Sequence, residues 1–160
     1  MKRMLCMMLG ILVMTGCKAE EPVQQEEVIP TAETEIQEEQ EEDKMLEMKI
    51  GDTAVEVVWE ENESVYALKE LAAEHPLSIQ MSMYGGFEQV GPIGTSLPRN
   101  DVQTVTSSGD IVLYSGDQIV VFYGSNSWSY TRLGHVSDKT QAEMRELLGN
   151  GDVVITLKTE

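Results

Sequence analysis

From Met48 to Leu157 the chain is written in short runs with a two-residue apolar period, cut by Gly, Pro, Asn and Asp. Successive side chains of a strand point to opposite faces, so such runs read as strands buried on one side. Thr53 to Glu60 sets Val55, Val57 and Trp59 against Glu56 and Glu60, and Met48–Ile50 before Gly51-Asp52 reads as its hairpin partner. Leu77 to Tyr84 sets Ile79, Met81 and Met83 against Ser78, Gln80, Ser82 and Tyr84. Val102–Thr106, Asp110–Tyr114, Gln118–Tyr123, Tyr130–Val136 and Asp152–Leu157 complete the set. Ser115-Gly116-Asp117 reads as a tight hairpin turn. Ile119 to Tyr123 is apolar on both faces, which marks a central or barrel-closing strand.

Two helices interrupt the strands. Ser64 to Glu74 places Val65, Leu68, Leu71 and Ala72 on one face and is ended by Pro76. Thr140 and Glu143 have capping-box spacing, and the helix they open runs to about Leu148, with Gly149 at its end. Two segments read as loops: Gly85 to Asp101, rich in Gly and Pro, and the polar Gly124 to Ser129. Seven or eight short strands with two helices must lose their edges in a sandwich or a closed barrel, and pattern alone does not choose between them.

The first 44 residues are of another kind. Met1-Lys2-Arg3 is positive, Met4 to Met14 is apolar apart from Gly10, and Met14-Thr15-Gly16-Cys17 follows. This is the layout of a secretory signal peptide, too short to span a bilayer. Met14 to Cys17 resembles the lipobox of bacterial lipoproteins, with Met where Leu is usual. The resemblance implies cleavage before Cys17, lipidation of Cys17 with acyl chains such as palmitate, and a membrane anchor on the extracytoplasmic face. Residues 18–44 hold eleven acidic residues, two Lys and no aromatic residue. Like charge with low hydrophobicity predicts a disordered tether. The expected organisation is therefore a lipoprotein signal peptide over 1–16, a lipidated acidic linker over 17–44 and a folded domain over 45–160.

Composition removes several function classes. A net charge of −17 argues against nucleic acid as a partner, because phosphate binding needs clustered Lys and Arg. Both cysteines, Cys6 and Cys17, precede the domain, so it has no disulfide and no thiolate metal site. His75 and His135 lack metal-ligand spacing, and His135 reads as a structural hydrogen-bonding residue. No dinucleotide fingerprint, P-loop or nucleophile elbow occurs, so neither a metal nor a cofactor is expected.

Gly109 to Tyr114, Gln118 to Gly124 and Asn126 to Gly134, with Tyr84-Gly85-Gly86-Phe87-Glu88 and Leu97-Pro98-Arg99-Asn100-Asp101, together resemble the bacterial cyclophilin-like family. The resemblance covers about residues 47–158. It implies a mainly β fold, a closed eight-stranded barrel with two capping helices. True cyclophilins are peptidyl-prolyl isomerases that set an Arg beside an apolar proline pocket. This chain lacks their Phe-His-Arg segment, so no isomerase residue is carried over, and a divergent prolyl isomerase is the alternative reading. The first reading is a module that binds a small molecule or a peptide.

The candidate ligand residues are Tyr84, Phe87, Arg99, Asn126, Trp128, Tyr130 and Arg132, from the two loops and the start of the following strand. Aromatic rings with a few polar groups are the usual material of recognition sites. The competing reading has Trp128 and Tyr130 plugging a barrel end while Arg132 pairs with a carboxylate. Glu88 and Asp101 are a further potential pair across a cleft, though acidic side chains are abundant here and solvated faces are their usual place.

Overall fold

The computed structural model describes residues 45–160; the expected leader, Cys17 and acidic tether lie outside the described residues. The element order is β1 (Leu46–Ile50), β2 (Thr53–Val55), β3 (Val57–Trp59), α1 (Glu63–Glu74), β4 (Leu77–Tyr84), β5 (Glu88–Pro92) and β6 (Val102–Val105). It continues through β7 (Asp110–Tyr114), β8 (Gln118–Phe122), β9 (Ser127–Val136), α2 (Gln141–Leu148) and β10 (Val153–Thr159). All pairings are antiparallel, in the order β2-β1-β10-β4-β5-β8-β7-β9-β3, with β6 on β9.

The two ends of that order are one stretch of chain. β2 pairs with β1 and β3 pairs with β9, and they are separated by Glu56 alone. The expected single strand over 53–60 is thus one stave that changes partner midway, and it nearly closes a barrel of eight staves. At the break the Glu56 N–H donates to Asp138 Oδ1 (3.0 Å) and its carbonyl accepts from the Ser137 N–H (2.8 Å). Its backbone groups therefore remain satisfied where the ladder stops.

The barrel interior is one apolar cluster. Met48, Ile79, Met81, Ile111, Leu113, Ile119, Val121, Ile155 and Leu157 supply it from the strands. Val65, Leu68 and Ala72 of α1 and Met144 and Leu148 of α2 join it from the helices. α1 leads into Leu77, which pairs with Leu157, and α2 leads into Val153, which pairs with Met81. Connectivity therefore sets the helices at opposite ends of the β4–β10 ladder. Asn62 caps α1, its side chain accepting from the Val65 N–H (3.0 Å), and Thr140 and Glu143 form the expected capping box on α2.

Three expectations are corrected. The segment 85–101 is not one irregular loop, since it contains β5, a full ladder strand. Gly91 conceals that strand in sequence. It lets β5 lie close on β4, where a Cβ would strike Met81 Sδ and, at 2.7 Å, the Gln80 carbonyl. Met83 is exposed, so the methionine stripe of β4 ends at Met81. β9 begins at Ser127, which places Trp128 in a strand and not in a loop.

Candidate functional site

Some strands of this barrel are buried on both faces. Ile111, Leu113, Ile119 and Val121 face the interior. Their alternates Val112, Val120 and Phe122 form a second cluster outside the barrel with Tyr130, against which Phe87 and Val90 pack. The two-sided apolar run of β8 is thus explained: β8 is central, between β5 and β7, and its outer residues floor a surface depression. A bulge in the β7–β9 ladder at Ile111/Val112 lets Leu133 and Val136, three apart, both enter the core. Past the bulge, Tyr130 and Trp128 share the outer face.

The depression is a cavity of about 430 Å³. Its floor is Val90 and Val120, and its walls are Tyr84, Tyr114, Trp128 and Tyr130, with Glu88, Gln118 and Asn126 as polar groups. Tyr130 is fixed by edge contacts with Phe122 (centroids 5.8 Å) and Tyr114 (6.1 Å). Asn126 Nδ2 donates to the Tyr130 hydroxyl (3.0 Å). Trp128 and Tyr84 are 58% and 66% exposed, so large aromatic surface is left open around a built floor.

Glu88 is the unusual member. It is 5% exposed, and its Oε2 has no hydrogen-bond partner. Burial pushes its carboxyl up to about 7. Burial first, and then the Glu88 charge, also raise the Tyr130 phenol above its ordinary range. Glu88 is held in place by backbone, standing opposite Tyr84 on β4 and Phe122 on β8.

The predicted site residues divide. Tyr84, Asn126, Trp128 and Tyr130 come together in this cavity. Arg99 and Arg132 do not: they line a separate cavity of about 610 Å³ with Asn62, Ser64 and Thr131. There Arg99 pairs with Asp101 (3.3 Å) and Arg132 with Asp110 (3.4 Å). Phe87 is structural. Its carbonyl accepts from the Tyr123 and Gly124 N–H groups (both 2.9 Å), and its Cβ lies 2.6 Å from where a Cβ on Gly124 would stand. Arg132 thus has its carboxylate partner, whereas Trp128 is no plug of a barrel end.

The pairing of Glu88 with Asp101 does not occur. Asp101 accepts from the Thr131 hydroxyl (2.7 Å) and pairs with Arg99. His135 is tied to Asp110 (2.9 Å), as a structural histidine should be. Burial alone would raise the Asp110 carboxyl; the Ser107 N–H, His135 and Arg132 overcome it and hold it below the usual range. Glu88, Tyr114, Gln118 and Val120 also line the cavity, from strands and not from the two loops that the sequence pointed to. The outer apolar face of Ile119–Tyr123 was the signal for them.

Among the described residues no group of three or more His, Cys, Asp and Glu is placed to hold a metal ion. No helix among them is long and apolar enough to cross a membrane.

The nearly closed eight-stave barrel with two helices is the architecture that the resemblance over about residues 47–158 implied. A family model described as cyclophilin-like matches residues 48–158, and the chain belongs to that family. No curated protein and no solved structure matches the chain.

Proposed function

We propose that this cyclophilin-like domain is a binding module that takes a small molecule or a short peptide segment in its outer-face cavity. One observation carries the reading: four aromatic side chains and a buried carboxyl converge on one apolar floor, with Trp128 and Tyr84 open to solvent. Pockets of this size, mostly apolar with few polar groups, are typical ligand sites. The isomerase reading finds less support. Both arginines of the predicted set line the other cavity and are paired there, so no guanidinium stands beside this apolar floor.

The module is carried, on this proposal, by a lipid anchor at Cys17 and an acidic spacer outside the cytoplasmic membrane. Met14-Thr15-Gly16-Cys17 after a short positive and apolar leader supports this. Cys17→Ser should abolish metabolic labelling with a palmitate analogue and release the protein from the membrane fraction; unchanged labelling would refute the anchor.

For the cavity, the test is titration with metabolite and proline-peptide panels, followed by the Trp128 indole N–H resonance. A saturable shift is expected, with affinity by calorimetry reduced in Trp128→Ala. An indole signal unmoved by every compound would end the reading. Prolyl isomerisation abolished by Arg99→Ala would establish the alternative.

A further inference from the structure

The electrostatics of the aromatic cavity are one-sided. Its wall contains one carboxyl, that of Glu88, and no Lys, Arg or His. Tyr84, Tyr114, Trp128 and Tyr130 bring four aromatic side chains to the same space. The face of an aromatic ring carries negative charge density and attracts a cation within about 6 Å of its centre. Glu88 Oε2, buried and without a partner, is the acceptor that such a cation would find at the base of the site.

Resting on the binding reading above, we propose that the cavity takes a small organic cation, an alkylammonium or quaternary ammonium head group, with Glu88 as counter-charge and Trp128 and the tyrosines as its cage. Other ligand charges fit less well. An anion would meet a carboxylate and no basic group. A neutral apolar ligand would seal Glu88 away from water without a partner, and a buried charge without a partner is costly. A metal ion would find one carboxyl where several hard oxygen ligands are needed. Residues 45–160 carry seventeen acidic against seven basic side chains, a field that draws cations toward the surface.

The site is also pH-responsive. The titratable groups facing Glu88 are the phenols of Tyr84 on β4, Tyr114 on β7 and Tyr130 on β9, and burial raises that of Tyr130 further from neutrality. Affinity for a permanent cation should therefore follow ionisation of Glu88 alone. It should fall about tenfold per pH unit below about 7 and level off above it.

The experiment is a titration of the protein with choline, with its neutral carbon isostere dimethylbutanol, and with N-acetyl-lysine amide, read by the Trp128 indole resonance. We expect choline or the lysine derivative to bind about tenfold or more tighter than the alcohol at pH about 8. The tighter of the two tells a free ammonium compound from a peptide side chain. Glu88→Gln, which keeps the shape, should remove that preference and the pH dependence; Trp128→Ala, at an exposed position, should weaken binding, followed by calorimetry, without unfolding the domain. Equal binding of choline and the alcohol, unchanged choline affinity in Glu88→Gln, or no cation binding overturns the proposal. Binding of neutral compounds from the panels would then leave the general binding reading standing, whereas silence from every compound would remove both.

Discussion

Replacing Glu88 by Gln should stabilise the domain at alkaline pH and leave it almost unchanged in acid. An ordinary glutamate ionises near 4.5, whereas burial lifts Glu88 to about 7. The folded state therefore holds this proton more tightly than the unfolded chain does. The sign follows: stability from the protonated form is fully present below about 4.5 and is lost as pH rises to about 7. Each unit is about 1.4 kcal/mol, so the gap corresponds to roughly 3 kcal/mol of lost stability in the ionised protein. Glu88 lines a cavity open to water, so solvent screening makes that figure an upper bound. Gln has the same shape and no charge, and it escapes the loss. For a domain of this size the difference amounts to roughly 10 °C in Tm. Thermal unfolding of both proteins by circular dichroism, from about pH 4.5 to about pH 8, gives the difference curve directly. Other carboxylates titrate equally in the two proteins and cancel. A Tm difference that stays flat across this range would refute the reasoning, because it would mean that Glu88 is solvated in the folded state.

Asp110→Asn should cost about 2 kcal/mol at neutral pH, since it weakens charged hydrogen bonds to His135 and Ser107 and the pairing with Arg132. The wild-type carboxyl is held low, so its contribution is present above the ordinary Asp range and is lost as pH falls below it; urea unfolding at neutral and acid pH checks both. Gly124→Ala should cost about 2 kcal/mol by urea unfolding and weaken cavity binding, because the new methyl would lie 2.6 Å from Phe87 Cβ beside Glu88. Gln89→Ala removes two 2.7 Å bonds from its amide to the Leu148 and Gly151 carbonyls; amide exchange across 141–151 should accelerate while β7 and β8 stay protected.

Much was legible in the chain alone. Period-two alternation set the strand from Leu77 to Tyr84, because one wet and one dry face demand it, and a short run apolar on both faces set the one from Gln118. Capping residues and Pro76 set both helices within a residue or two, because a helix end must satisfy its own backbone groups locally. The placement of both cysteines before residue 45 ruled out a disulfide within residues 45–160 without any coordinates. Tertiary structure decided what depends on partners distant in sequence. Glu56 is an ordinary polar position until β1 and β9 claim the chain on either side of it. Gly91 reads as a turn until β4 lies against it. Of the seven predicted ligand residues four line one cavity, two line another and Phe87 lines neither, because strand pairing, not their spacing, sets where each side chain points. Glu88 looked like one more solvated carboxylate, and only the stacking of β4, β5, β8 and β9 around it takes its water away. Desolvation is a property of the assembled wall, and no local pattern in the sequence records it.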